Sequence, residues 1–129
     1  RGLLVPVVRD ADQLNVFEIA AEIARLAQAA RDKTIGPNEL SGSTITITNV
    51  GSFGMDGGTP IINYPEAAIL VPGAIRPKPW VVDGQIVVRD VMLLGLSFDH
   101  RIIDGAEAGR FLRYLGDLIE KPARLFGVL

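Results

Sequence analysis

The chain has 129 residues and a mass of 13.9 kDa, which is enough for one modest core or for part of a larger domain. Its 13 basic and 15 acidic residues leave a net charge of -2, and no run rich in lysine or arginine is present, so we expect no nucleic-acid partner. The absence of cysteine excludes disulfides and a cysteine nucleophile, and the longest apolar stretch, "AAILVPGAI", is far shorter than the about 20 residues that cross a bilayer.

The first part of the chain predicts a buried strand, a helix and a second strand. The β-branched apolar run "LLVPVV" (3–8) is typical of a buried strand. Residues 15–33 predict a helix that starts with a capping pair, Asn15 and Glu18, and stops near Lys33. Its apolar stripe runs through Val16, Ala20, Ile23, Ala27 and Ala30. "STITITNV" (43–50) alternates threonine with apolar residues, which predicts a strand whose threonines face solvent.

The second part predicts a glycine-rich loop, further strands and a final helix. "GSFGMDGGTP" (51–60) is a loop, and the chain bends at Pro72-Gly73. Apolar runs predict a strand at 67–75, the two strands of a hairpin around Asp83-Gly84, and a strand at 91–98 that leads into His100. "GAEAGRFLRYLGDLIEKP" (105–122) is an amphipathic helix that ends at proline. We therefore expect one compact α/β unit with more strands than helices.

The chain carries more apolar surface than a small domain usually needs. Its mean hydropathy is +0.29 although 22% of its residues are charged. The C-terminal "ARLFGVL" adds Leu125, Phe126, Val128 and Leu129, where chain ends are usually polar. This tail either packs against another chain or folds back on its own domain. We expect an oligomer.

His100, the single histidine, is the first candidate for chemistry. It stands between Asp99 and Arg101 at a strand end, just before a helix that opens at Asp104. An imidazole at such an edge can exchange a proton near neutral pH. The competing interpretation is a surface histidine that pairs with Asp99 or Asp104. A metal site has little support, because one histidine without cysteine leaves carboxylates to supply nearly all ligands.

Two patterns resemble catalytic signatures without completing them. "GSFGMDGG" has neither the dinucleotide-binding spacing nor a phosphate-binding lysine, and it follows a strand without opening a helix. "GLSFD" around Ser97 lacks the second glycine of a nucleophile elbow. A serine hydrolase using Ser97 and His100 remains a rival. The two side chains would point the same way, but they belong to no complete triad.

"DHRIIDG" (99–105) resembles the DHRxxDG signature of the dihydrolipoamide acyltransferases, the E2 core components of 2-oxo acid dehydrogenase complexes. Further segments resemble the same family in the same order: "GLLVPVVRDAD", "TITNVGSFG", "TPIINYPEAAIL", "VVDGQIVVRDVMLLGLSFDHRIIDGAEAGRFL" and "DLIEKP". The resemblance implies a chloramphenicol-acetyltransferase-like α/β fold, an α+β two-layer sandwich with a mixed sheet and flanking helices. Residues 1–129 would form the C-terminal part of the catalytic domain. Its N-terminal half, the lipoyl domain and the peripheral subunit-binding domain are absent from this sequence.

The resemblance also implies a reaction and roles for three residues. An acyl group passes between a dihydrolipoyl thioester and coenzyme A, without a covalent acyl-enzyme. His100 would be the general base that deprotonates the attacking thiol and returns the proton to the departing sulfur. Thr48 would donate its hydroxyl to the tetrahedral oxyanion, and Asp104 would hold the loop and the histidine. Arg101 would be a structural ion-pair partner. No coenzyme A contact can be assigned.

The partners implied by the resemblance are copies of the same chain. Family members form homotrimers with active sites between subunits, the histidine of one chain facing the serine or threonine of its neighbour. Trimers assemble into a larger symmetric core, in part through an apolar C-terminal segment, while E1 and E3 components bind through the absent domains. No membrane or metal is implied. The location would be cytoplasmic, or the mitochondrial matrix in a eukaryote.

Two further expectations concern specificity and the main alternative. "SFDHR" and "NYPEAAIL" look closer to pyruvate or branched-chain members than to 2-oxoglutarate members. Within the family, the alternative is a non-catalytic, E2-like protein that only builds a scaffold. The presence of both His100 and Thr48 favours the enzyme, because a scaffold needs neither.

Overall fold

The computed structural model describes residues 2–126, and it groups their helices and strands into two compact units. The first unit comprises the chain up to Ser43 together with the segment from Ala123, and the second comprises Thr44–Pro122. The expectation of one compact unit is therefore wrong. Two helices and five strands occur in the described range: α1 (Val16–Arg31), β1 (Ile45–Ile47), β2 (Ala68–Pro72), β3 (Arg76–Val82), β4 (Gln85–Val91), β5 (Leu94–Phe98) and α2 (Gly105–Glu120).

Helix α1 of the first unit begins as predicted. The Asn15 side chain accepts a hydrogen bond from the Glu18 N–H at 2.9 Å, and the Glu18 carboxylate accepts one from the Asn15 N–H at 2.8 Å. This reciprocal pair satisfies two N–H groups that a helix start leaves open. The helix ends at Arg31, two residues before the predicted Lys33. On the predicted apolar stripe Ile23 is exposed, whereas Leu26 beside the stripe is buried.

Residues 3–8 do not form the predicted buried strand. The segment is not part of a sheet, and Leu3 is 82% exposed. The Val7 N–H donates to the Glu39 carbonyl at 2.8 Å, which ties the segment to a loop of the same unit. A buried strand needs a partner strand as well as apolar residues, and residues 2–126 offer this segment no such partner.

The second unit contains a mixed three-stranded sheet in the order β1-β2-β5. Strand β1 runs parallel to β2, and β2 runs antiparallel to β5. The register aligns Ile45 with Ala68, and Ala68 with Phe98. This arrangement confirms the predicted mixed sheet, and β5 is shorter than predicted because Val91 belongs to β4.

Strands β3 and β4 form the predicted hairpin. They pair antiparallel from Arg76–Val91 at the open end to Val82–Gln85 at the turn. Asp83 and Gly84 have φ values of 51° and 75°, so both central residues of the turn adopt the left-handed conformation. That conformation suits the twist of a two-residue hairpin, which is why the Asp-Gly pair was a strong local signal.

Helix α2 covers one face of the sheet in the second unit. It begins at the predicted Gly105 and ends at Glu120, just before Pro122. Ala108 and Phe111 of α2 line an apolar cavity of about 440 Å³ together with Ala68 and Leu96 of the sheet. Because paired residues share a face, Phe98 lies on this side as well.

The opposite face of the sheet is covered by the loop that precedes β2. The Thr46 Oγ1 donates to the Glu66 carboxylate at 2.6 Å and accepts from the Asn63 amide at 3.2 Å. Thr46 is 8% exposed, whereas Ile47 is 66% exposed. The prediction that the threonines of this strand face solvent is therefore wrong for Thr46. A buried hydroxyl is accommodated because two polar side chains of the loop satisfy it.

The glycine-rich stretch 51–60 is a loop, as predicted. It contains one short 3-10 turn, and its glycines permit close packing. A Cβ atom on Gly73, just after β2, would lie 2.0 Å from the Asp56 carbonyl oxygen. A Cβ atom on Gly51 would lie 2.6 Å from the Gly73 carbonyl oxygen. These contacts leave no room for a side chain, so the loop backbone lies directly against the end of β2.

The C-terminal segment folds partly onto its own unit. The Phe126 ring centroid lies 6.0 Å from that of Phe17 in α1, yet Phe126 remains 57% exposed. Leu125 is also exposed, and Val128 and Leu129 lie outside the described residues. The structure thus supports a fold-back contact, and the oligomer stays a prediction. No helix within residues 2–126 is long and apolar enough to cross a membrane.

Candidate active site

A tight turn after β5 carries His100. The Asp99 N–H donates to the Ala67 carbonyl at 2.8 Å, which continues the pairing between β2 and β5. The Asp99 carbonyl accepts the N–H groups of Ile102 and Ile103 at 3.1 and 3.0 Å. The backbone is therefore fixed on both sides of His100, whose side chain is exposed at the turn.

Arg101 forms hydrogen bonds to both oxygens of the Asp99 carboxylate. Its Nε and Nη2 donate to the two carboxylate oxygens at 2.9 and 2.7 Å, and its backbone N–H adds a bond of 3.0 Å. The guanidinium and this N–H lower the pKa of Asp99 from its ordinary value to about 2, so the carboxylate is ionised at neutral pH. Arg101 is the ion-pair partner that the family resemblance implies.

Asp104 is the N-cap of α2. Its Oδ1 accepts from the Glu107 N–H at 2.7 Å, and the Glu107 carboxylate accepts from the Asp104 N–H at 2.9 Å. With Asp99 bound to Arg101 and Asp104 capping the helix, neither carboxylate bonds the imidazole within residues 2–126. The competing picture of a histidine paired with one of them is therefore wrong. The contact that His100 does make is with the Phe98 ring, at a centroid distance of 5.5 Å.

We expect Asp104→Ala to lower the free energy of unfolding by about 1 kcal/mol, because an N-cap bond is lost. It should also lower the rate of any reaction that uses His100, because the helix start next to the His100 turn loosens. Asp104→Asn should preserve both, since asparagine caps a helix about as well as aspartate. Urea unfolding and turnover of the full-length protein measure the two effects.

Asn15→Ala is the matched control for this prediction, because Asn15 caps α1 with the same reciprocal bonds in the other unit. It should cost about the same stability while leaving turnover unchanged. An Asp104→Asn variant with normal stability and strongly reduced turnover would show that the charge itself takes part in the chemistry.

Thr48 directly follows β1. Within a single chain it lies far from His100. Its N–H donates to the Leu70 carbonyl at 2.9 Å, and its side chain is half-buried. Ile47, Leu70 and Leu96 lie side by side across the three strands, and Thr48 is the next residue after Ile47. His100 comes after the opposite end of β5. The row of Thr48 meets β5 five residues before His100, so the two residues are about 17 Å apart along the strands.

Ser97 has a structural role in the sheet. Its hydroxyl donates to the Pro60 carbonyl at 2.7 Å and so anchors the covering loop. Neighbouring strand residues alternate faces, so Ser97 and Phe98 point to opposite sides, and His100 lies on the side of Phe98. The expectation that Ser97 and His100 point the same way is wrong, because they are separated by an odd number of positions. The geometry gives a serine hydrolase no support.

Two features of the turn were not predicted from the sequence. Phe98 packs on the imidazole, and the spacing of two residues along a strand was the available signal for this contact. Asp99 anchors the turn through an Asx-type bond to the Arg101 N–H, a habit of aspartate that its position before a turn could have indicated. No cluster of three or more metal-ligating side chains occurs in the part of the chain that the structure describes.

A family model described as 2-oxoacid dehydrogenases acyltransferase (catalytic domain) matches residues 1–127. The succinyltransferase component of the 2-oxoglutarate dehydrogenase complex of Bartonella vinsonii is 50% identical over 97% of this chain and 30% of its own length. The acetyltransferase component of the pyruvate dehydrogenase complex of Bacillus subtilis is 51% identical over 95% of this chain and 28% of its own length. The acyltransferase component of the branched-chain complex of Pseudomonas putida is 48% identical, with similar coverage. This chain therefore spans less than a third of these relatives.

Solved structures of similar fold lead to the same group of proteins. A probable dihydrolipoamide acetyltransferase of Listeria monocytogenes has a TM-score of 0.87 and 43% identity over 91% of this chain and 50% of its own. The dihydrolipoamide acetyltransferase of Azotobacter vinelandii has a TM-score of 0.83 and 42% identity over 95% of this chain and 51% of its own. Work on that enzyme addressed the role of a serine, a histidine and an asparagine in its catalytic mechanism. The chain thus spans about half the length of each solved relative. The similarity to these structures confirms the predicted fold.

Proposed function

Because this chain belongs to the acyltransferase family of 2-oxo acid dehydrogenase complexes, we propose that it forms part of an acyltransferase active site. The reaction moves an acyl group between dihydrolipoamide and coenzyme A, and His100 is the general base. The observation that carries this proposal is the exposed imidazole on a fixed turn. Neither neighbouring carboxylate forms a hydrogen bond to it, because one is bound to Arg101 and the other caps α2. A free thiol of coenzyme A or dihydrolipoamide can therefore reach a ring nitrogen.

The proposed proton transfer follows from the chemistry of thiols. A thiol with a pKa of about 8.5 is mostly protonated at neutral pH, whereas the thiolate is the nucleophile. His100 takes the proton from the attacking sulfur as that sulfur bonds to the acyl carbon. When the tetrahedral intermediate collapses, the other carbon–sulfur bond breaks and the departing sulfur receives the proton. The acyl group thus moves directly between the two sulfurs.

Thr48 is the proposed donor to the oxyanion of the tetrahedral intermediate. Its backbone N–H is used in the pairing with Leu70, so the hydroxyl is the group left to donate. Thr48 and Asp104 lie at the same sequence distances from His100 as do the serine and the asparagine from the histidine of the Azotobacter vinelandii enzyme. This equal spacing supports one common set of three positions, with a hydroxyl donor at the first.

The separation of Thr48 and His100 supports a site shared between two copies of the chain. Within one chain the two residues follow opposite ends of the sheet, about 17 Å apart along the strands, which no hydrogen-bonded arrangement can bridge. A head-to-tail contact between identical chains brings opposite ends together, and such contacts form a ring when the rotation between copies closes. A homotrimer within a larger symmetric core is the proposed assembly. A related solved structure is described as the cubic core of the pyruvate dehydrogenase multienzyme complex.

Acetyl or branched-chain acyl groups are the proposed substrates, on the similarity of "SFDHR" and "NYPEAAIL" to those family members. The relatives do not separate the classes, because acetyl-, succinyl- and branched-chain transferases are 47–51% identical to this chain. The full-length catalytic domain should transfer from acetyl-CoA or isobutyryl-CoA to dihydrolipoamide faster than from succinyl-CoA. Fastest transfer from succinyl-CoA would contradict the proposed specificity.

The alternative of a non-catalytic scaffold gives a different outcome in the same assay. It predicts a core that assembles normally and transfers none of the three acyl groups. The lipoyl group would in either case be carried on a domain outside this sequence, and E1 and E3 components would bind through such domains. Measured transfer of any one acyl group above the rate without protein rules out the scaffold.

A further inference from the structure

Within one chain, Phe98 is the ring neighbour that the described residues give to the His100 imidazole. A general base must point at the proton it removes, and a misplacement of about 1 Å can cost about a hundredfold in rate. In many sites a carboxylate holds the histidine ring, but here Asp99 is bound to Arg101 and Asp104 caps α2. Within residues 2–126, no hydrogen bond holds either ring nitrogen. The torsion that turns an imidazole is broad, so such a ring has no direction of its own.

We propose that Phe98 is the positioning residue of this general base: its ring sets the direction of the His100 imidazole. This inference rests on the proposed function. The two ring centroids lie 5.5 Å apart with an angle of 38° between the planes. Aromatic rings that attract one another lie about 4.5–7 Å apart in offset or tilted arrangements, so this contact favours one ring position over others.

Phe98 can orient the imidazole because the sheet fixes the position of Phe98 itself. It is the last residue of β5, where it aligns with Ala68 of β2, and Ala68 is 5% exposed. Both lie on the sheet face that α2 covers, and Phe98 is half-buried there. His100 is exposed, so the strand residue is the fixed partner and the imidazole is the one that is placed.

The test replaces Phe98 in the full-length catalytic domain and measures both kcat and KM. Phe98→Leu keeps an apolar side chain but removes the ring, and kcat should fall about 10- to 100-fold. The KM values for coenzyme A and dihydrolipoamide should stay within about twofold, because a misdirected base affects the transition state rather than binding. Phe98→Tyr keeps the ring and should restore kcat. If the leucine variant does not assemble, Phe98→Met refills more of the volume and is measured instead.

Phe111→Leu is the matched control, because Phe111 lines the cavity on the same side of the sheet and carries the same change. It should leave kcat near that of the wild type. Equal losses of kcat in Phe98→Leu and Phe111→Leu would overturn the inference in favour of general packing.

A double-mutant cycle with His100→Ala separates this inference from the proposed function. If Phe98 acts through the imidazole, Phe98→Leu should lower the residual rate of His100→Ala by less than about twofold. A full 10- to 100-fold loss in that background would overturn the positioning role. If His100→Ala itself leaves the rate unchanged, the proposed function has failed. If His100→Ala is inactive and Phe98→Leu is normal, only the present inference has failed.

Discussion

Replacing His100 by alanine is expected to lower acyl transfer between dihydrolipoamide and coenzyme A by about 10²–10⁴-fold, the usual contribution of a positioned general base. The loss arises because no other histidine exists in this chain, and both neighbouring carboxylates are already bound. Steady-state turnover of the full-length catalytic domain measures it. The free energy of unfolding should change by no more than about 0.5 kcal/mol, because His100 is exposed and makes no hydrogen bond within residues 2–126.

Added imidazole provides the control for this variant. In His100→Ala a free imidazole can enter the vacated space and restore part of the rate, whereas it should not help a variant that lacks another group. Sedimentation of the variant should show an intact assembly. Wild-type turnover in His100→Ala would contradict the account, because the thiol would then need some other base.

Replacing Thr48 by alanine should lower kcat by about 10²–10³-fold, which corresponds to about 2.7–4 kcal/mol for one donor to an oxyanion. The negative charge on the oxygen exists only in the transition state and intermediate, so kcat should fall with little change in KM. Thr48→Ser keeps the hydroxyl and should retain most of the rate. Stopped assays with acetyl-CoA and dihydrolipoamide give both constants.

Thr44→Ala is the matched control for Thr48, because it changes an exposed threonine just before the same strand. It should leave kcat and KM near the wild-type values. A Thr48→Ala variant with normal kcat would remove the oxyanion role, and the donor would then have to be a backbone N–H group.

Elements set by neighbouring residues were predictable from the sequence. The start of α1 depends on Asn15 and Glu18, and the hairpin turn depends on Asp83 and Gly84, so each signal lies within a few residues. The face of Thr46 was predicted wrongly, because its exposure is decided by a loop that lies far along the chain. Apolar composition marked residues 3–8 as a strand but could not show whether a partner strand is present.

The candidate site was predictable in part for the same reason. The segment "DHRIIDG" is continuous, so one resemblance located His100 and Asp104 together on a turn and a helix start. The bond partners of Asp99 and Asp104 depend on the folded turn, and no spacing rule showed that both carboxylates are occupied. The distance between Thr48 and His100 depends on strand direction and register, which only the folded sheet reveals.

Mixed assemblies test most directly the central claim that His100 and Thr48 of different copies form one site. Full-length chains carrying His100→Ala and Thr48→Ala are coexpressed with different tags, and assemblies that contain both are purified. Each variant alone should be nearly inactive, whereas the equal mixture should recover about a quarter to a third of wild-type turnover. About one site in four of a randomly mixed core, and one in three of a mixed trimer, combines an intact histidine with an intact threonine. A mixture no more active than its components would contradict the account, since a site built within one chain is never repaired by mixing.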